Sequence, residues 1–175
     1  MAVEYGGAFQ FPVWINRCGN LAGAGQFGTA EQGIFSYWIH SHSRRARLRY
    51  TGFGGHGYQV RDAFHPSDLA ELIYMQIKRG SPGAQEDATY NAGGGATNSM
   101  SIAQLASWCD DRFGKHPPEA DTASRPFDIP WMVMDSHRAA DDFGWAPRRS
   151  LDSILDEIAA HAVEHPEWSA ICGTT

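Results

Sequence analysis

Apolar runs and apolar stripes alternate along this chain. The run FPVWINRC at residues 11–18 is rich in strand formers and lacks clean alternation, which predicts a strand buried on both faces of a parallel sheet. Ahead of it, MAVEYGGAF reads as the last turns of a helix ending at a glycine pair. Residues 29–46, TAEQGIFSYWIHSHSRRA, predict a helix with Thr29 as its N-cap and Ile34, Tyr37 and Trp38 on one side. RLRYTGF, residues 47–53, is a short strand. A glycine turn follows, then an extended piece carrying Gln59, Arg61 and Asp62, then a helix capped near Ser67 that stops at Gly80.

Residues 81–89 form a surface loop, and TYNAGGG is a brief strand entering a turn. Ser101 and Gln104 have the spacing of a capping box, with Ile102, Leu105, Ala106 and Cys109 on one face of the helix behind them and Gly114 at its end. Residues 115–130 are proline-rich and irregular, and WMVMD is a short strand. Leu151, Ile154, Leu155 and Ile158 make the stripe of a last helix that stops before Pro166. Strands alternating with helices predict an α/β fold.

Composition narrows the picture. With 175 residues, 42% of them hydrophobic, the chain can bury one ordinary core, which predicts a single folded unit over residues 1–175. Fourteen Lys and Arg against twenty Asp and Glu give a formal charge of -6, which argues against binding nucleic acid. The basic run RRARLR, residues 44–49, then reads as solvated cations complementing a helix dipole. Cys18, Cys109 and Cys172 are widely spaced, with no C-x-x-C pair, and fit a reducing cytoplasm. No apolar run approaches membrane-spanning length, so no membrane partner is expected.

Several spellings suggest chemistry. GAGQFG, residues 23–28, is a G-x-G-x-x-G sequence. A dinucleotide turn also needs a helix opening on the last glycine and a second strand ending in an acid about 20 positions on. TAEQG delays the helix and RLRYTGF ends without an acid, so the loop is not a pyrophosphate cradle. Tyr74 and Lys78 have the spacing of a catalytic Tyr-x-x-x-Lys pair, but a half-buried tyrosine beside a helix-end cation has the same spacing. His40 with His42, and His161 with His165, lack the further ligands a metal needs.

Four ordered blocks carry a resemblance: RCGNLAGAGQFG, GYQVRDAFHPSDLAELI, YNAGGGATNSMSIAQL and RPFDIPWMVMDSHRAADDFGWAP. Together they resemble the C-terminal, substrate-binding part of the extended short-chain dehydrogenase/reductase family, the NAD-dependent epimerases and dehydratases of nucleotide sugars. GQFGTAEQG and GGATNSMS are most similar to the CDP-paratose (CDP-tyvelose) 2-epimerase subgroup. The resemblance implies a Rossmann-like fold lacking its N-terminal NAD-binding half. It divides the chain into the end of the catalytic-helix region with one buried strand, 1–28, and a nucleotide-sugar-binding lobe, 29–175.

By the same resemblance, Asn20 addresses the sugar or its phosphates and, with Leu21, the nicotinamide of NAD. Arg61 and Arg125 clamp the substrate diphosphate, Asp128 accepts from a ribose hydroxyl, and Gln26 and Gln32 are candidates for sugar or base contacts. Asp62 and Asp68 have structural jobs, as turn former and helix-start acid. Ala22 and Ala24 depart from the family's usual Tyr and Pro. The implied partners are a nucleotide-diphosphate sugar, the N-terminal half, and a second copy in a full-length homodimer. The family's glycine fingerprint and catalytic Tyr-x-x-x-Lys precede the Asn20 block, so no catalytic residue is expected in this chain.

Overall fold

The computed structural model describes residues 1–82, 88–123, 126 and 128–171. Helix α1 (Ala2–Phe9) runs through both glycines and ends beyond them at Gln10, whose backbone is left-handed (φ 54). The expected N-terminal helix is there, but the glycine pair lies inside it. Strand β1 (Ile15–Cys18) follows and pairs in parallel with β5 (Thr89–Ala92), Ile15 opposite Thr89 and Cys18 opposite Ala92. Among the described residues β5 is its one strand neighbour. Arg17 is exposed and the other three residues are only half-buried, so the described residues of this chain do not by themselves supply the double burial that its composition predicts.

Strand β4 (Val60–Phe64) is the centre of a second sheet. Its C-terminal end pairs in parallel with β2 (Asn20–Leu21), and its N-terminal end lies between antiparallel β6 (Ser99–Ser101) and parallel β8 (Trp131–Met132). A third pair joins β3 (Arg49–Thr51) to β7 (Glu119–Asp121) in parallel. β7 falls inside the stretch expected to be irregular. Its partner lies some 70 positions back, too far for a local pattern to announce it.

Three helices build the larger core: α2 (Ile34–Ser43), α4 (Ile102–Phe113) and α6 (Leu151–Glu164). Phe35, Trp38 and Ile39 meet Leu105, Ala106 and Cys109 and the Ile154, Leu155 and Ile158 stripe, all nearly or fully buried. Burial of each large aliphatic side chain contributes roughly 1.5–3 kcal/mol. The 102–109 and 151–158 stripes are the ones the spacing predicts. The second core collects Phe64, Leu72, Tyr90 and Trp145 between β4, β5, α3 (Pro66–Arg79) and α5 (His137–Phe143). A short α7 (Trp168–Ile171) closes the described chain.

Three local expectations are corrected. Thr29 does not cap α2, which begins at Ile34 behind a left-handed Gly33. Its Oγ1 accepts from the Glu31 and Gln32 N–H groups and ties a separate turn. α3 is capped by His65, whose Nδ1 accepts from the Ser67 N–H, because Pro66 takes the first helical position. Asp62 is a buried residue of β4 and not a turn former, accepting from the Gly95 and Met134 N–H groups at 3.2 and 3.3 Å. Burial raises its carboxyl above the usual range, against the lowering effect of those N–H donors. Asp68 does sit in the first turn of α3, where it also accepts from the Arg148 and Arg149 N–H groups.

Candidate functional site

A cavity of about 740 Å³ opens between α2, β3, β4 and the segment ahead of β8. It gathers Asn20, Gln32, Arg61 and Asp128 from four separate stretches of the chain. Asn20 enters on β2, held beside Ala63 of β4 by parallel pairing. Gln32 is presented by the turn tied at Thr29, whose N–H donates to the Gln32 carbonyl at 2.7 Å.

Arg61 comes from β4, and its Nη2 donates to Asp128 Oδ1 at 2.7 Å while Nη1 donates to the Val60 carbonyl at 2.8 Å. Both partners of the pair are only about one-sixth exposed. Asp128 is brought there because Val60 N–H donates to the Pro130 carbonyl at 2.9 Å as β8 joins β4. The charged pair therefore rests on sheet pairing and not on a free loop. Arg61 has five donors in a planar fork, so an anion entering here can engage it without moving the strand.

The apolar wall is aromatic. Trp38 and Tyr50 stack with ring centroids 5.4 Å apart and planes 10° from parallel. Gly57, at φ +69, also lies against Tyr50, where a Cβ would come within 2.6 Å of two ring carbons. Gln59 is buried, and its Nε2 donates to the Thr51 carbonyl at 2.8 Å. Burial pushes the Tyr50 hydroxyl up, with Asp110 and Cys109 adding to the shift, so this wall stays neutral.

Other expected site residues lie elsewhere. Leu21 packs against the second core, and Gln26 turns inward: its Nε2 donates to the Leu21 carbonyl, while its own carbonyl accepts from Ser36 Oγ and Trp168 Nε1. Neither lines the cavity. Arg125 lies outside the described residues. Tyr74 is exposed and not half-buried, with Lys78 Nζ 5.5 Å from its ring centre on the surface of α3. The GAGQFG loop opens no helix, since α2 starts at Ile34. Its last glycine is there for packing, because a Cβ on Gly28 would sit 2.3 Å from the Tyr37 nitrogen. The loop therefore does not fit the pyrophosphate of a dinucleotide.

The histidines form two structural groups. His40 Nε2 and His161 Nδ1 approach to 3.4 Å, and His42 Nε2 lies 2.9 Å from Asp110 Oδ1. Among the described residues no group of three or more side chains is arranged to hold a metal ion. In the basic run, Arg45 donates to the Phe113, Gly114 and Lys115 carbonyls. It complements the end of α4, not of its own helix.

Arg47 and Arg49 instead line the cavity, as do Trp38, Tyr50 and Gln59. None of the five is among the site residues that the sequence points to. A signal for the arginines was present, since positions 47 and 49 alternate in a strand-forming run and so share a face.

Comparisons with known proteins agree with this architecture. The family model described as "NAD dependent epimerase/dehydratase family" matches residues 1–93. A UDP-glucose 4-epimerase from Azospirillum brasilense is 27% identical over 103 residues, which is 57% of this chain and 28% of that protein. The crystal structure of a UDP-glucose 4-epimerase with UDP-glucose from Thermotoga maritima superimposes with a TM-score of 0.74 at 18% identity, covering 92% of this chain and 49% of that one. A dTDP-glucose 4,6-dehydratase in complex with NAD from Bacillus anthracis gives 0.75 at 20% identity, covering 98% and 51%. The chain thus spans about half the length of the solved structures it matches.

Proposed function

The chain belongs to the NAD-dependent epimerase/dehydratase family, and from that premise we propose that it is the C-terminal, nucleotide-sugar-binding part of an NAD-dependent epimerase of the CDP-paratose (CDP-tyvelose) 2-epimerase type. The observation that supports this best is the single cavity holding Asn20, Gln32, Arg61 and Asp128 together. The family-model match does not assign a half. That assignment rests on the order of the four sequence blocks and on a glycine loop that opens no helix.

In this account Arg61 binds the diphosphate, Asp128 accepts from a ribose hydroxyl, and Asn20 and Gln32 face the sugar. Arg125 as a second diphosphate contact is carried over from its motif alone, as is homodimer assembly. NAD, when bound, would supply the reversible hydride-transfer chemistry that epimerisation of a sugar carbon needs. This chain contributes only at the nicotinamide end, through Asn20, with Leu21 carried over from its motif alone, while the rest of the cofactor site and the proton-transfer pair come from the other half. The 2-epimerase assignment is supported by GQFGTAEQG, whose last residues include the cavity-lining Gln32 and Gly33.

The second reading is a part of another UDP- or dTDP-sugar epimerase or dehydratase, or a non-catalytic nucleotide-binding domain. It is favoured by the range of substrates named for the similar proteins. The chain alone is expected to give no turnover of CDP- or UDP-hexoses with added NAD, and to bind CDP more tightly than UDP in calorimetry. Turnover by the chain alone contradicts the proposed division of labour, and a preference for UDP moves the assignment to the second reading.

A further inference from the structure

Three arginines line the cavity, and among the described residues they are not equally engaged. Arg61 is held by Asp128 at 2.7 Å. Arg47 grips Glu119 with two nitrogens, Nε at 2.9 Å from both carboxylate oxygens and Nη2 at 2.6 Å from one of them. Arg49 is the residue directly opposite Glu119 in the β3–β7 register, yet it makes only one loose contact, Nε to Oε2 at 3.5 Å. The nearer neighbour in register has lost the carboxylate to the diagonal one.

We infer that Arg49 is a further anion-contacting guanidinium of this cavity, kept available for ligand because Arg47 occupies Glu119. The inference rests on the nucleotide-sugar reading above and names a contact that reading does not include. Arg61 with Asp128 is a neutral pair, so it does not balance the charge of an entering diphosphate. Arg49 adds a guanidinium that is not closely paired, against the Glu31 and Asp121 carboxylates that also line the cavity, and it has only a weak internal contact to break. A planar fork of N–H donors suits two adjacent phosphate oxygens. The side chain is 44% exposed, so the ligand meets it at the mouth of the cavity and not in its depth. Glu119 and Arg47 are then positioning residues that act through Arg49.

The test is calorimetry of the full chain with cytidine, CMP and CDP. Arg49→Gln is expected to weaken CDP binding about three- to tenfold while leaving cytidine binding within about twofold. Arg47→Gln is expected to cause a similar loss, because Glu119 is freed to pair with Arg49 across the register. Combining Arg47→Gln with Glu119→Gln should recover most of that loss, which a merely structural role for Arg47 would not produce. CDP binding by Arg49→Gln equal to that of the unsubstituted chain overturns the inference, as does a loss in Arg47→Gln that Glu119→Gln does not relieve. If the unsubstituted chain binds none of the three, the nucleotide reading itself fails and this one with it.

Discussion

Asn16 and Gln76 exchange a reciprocal pair of amide hydrogen bonds, Asn16 Nδ2 donating to Gln76 Oε1 at 2.9 Å and Gln76 Nε2 donating to Asn16 Oδ1 at 2.8 Å. The pair fastens β1 to α3, only four residues before cavity-lining Asn20. Gln76 is almost fully buried, so removing Asn16 strands the Gln76 amide without water. Asn16→Ala is expected to lower unfolding free energy by about 1–3 kcal/mol, while Asn16→Leu with Gln76→Leu costs much less. Urea titrations of the two variants check this, and equal costs for the single and double changes would contradict it.

His40 makes stability fall with acid. Burial, then His161, Arg44 and His165, push its pKa from 6.5 down to about 4, so the folded state holds a neutral ring. The unfolded chain takes up that proton below about pH 6.5, where the folded chain does not. The contribution is therefore complete above the unfolded value and is lost as pH drops towards 4. It amounts to something on the order of 3 kcal/mol. His42 and His161 are shifted in the same direction, burial being the largest cause for both. The urea midpoint should fall less between neutral and mildly acidic pH in His40→Gln than in the unsubstituted chain. Parallel pH profiles would remove His40 from the account.

Gly57 should not tolerate a side chain. A methyl there meets the Tyr50 ring at 2.6 Å on a backbone at φ +69, and Tyr50 cannot retreat without leaving its stack on Trp38. Gly57→Ala is expected to destabilise the fold by about 1–3 kcal/mol and to weaken nucleotide binding as the wall is displaced. Urea titration and CDP calorimetry read the two effects separately. A neutral change in both would show that Tyr50 is free to move.

Self-association is expected of the chain by itself. Val3, Tyr5, Phe9 and Phe11 are all about half exposed or more, beside a strand that has one described neighbour. Sedimentation should show mass rising with concentration, and Val3→Glu with Phe9→Glu should reverse it. A monomer at every concentration would mean that this face is compatible with water.

The elements legible in the sequence are those with local encoding. The Ser101 and Gln104 capping box forms as its spacing predicts, with Ser101 Oγ accepting from Gln104 N–H and Gln104 Oε1 from Ser101 N–H. The stripes of α4 and α6 were equally plain. β7 was not, because an EAD triplet becomes a strand only by meeting Arg49, Tyr50 and Thr51. The same non-local pairing brings Glu119 to Arg47 and Arg49, so Arg49 reads in sequence as one of a solvated run. Asn20, Gln32, Arg61 and Asp128 came from motif resemblance, and the approach of Asn20, Arg61 and Asp128 depends on β4 pairing with both β2 and β8. Gln26 does not line the cavity because its side-chain Nε2 turns inward to the Leu21 carbonyl, while its backbone carbonyl accepts from Ser36 Oγ.

Calorimetry of CDP binding to the chain and to Arg61→Gln tests the central claim most directly. The account predicts measurable binding that weakens by more than about tenfold in the variant, since the substitution removes the central guanidinium and leaves Asp128 facing the phosphates. No binding by the unsubstituted chain, or equal binding by Arg61→Gln, would contradict the assignment of this cavity to a nucleotide sugar.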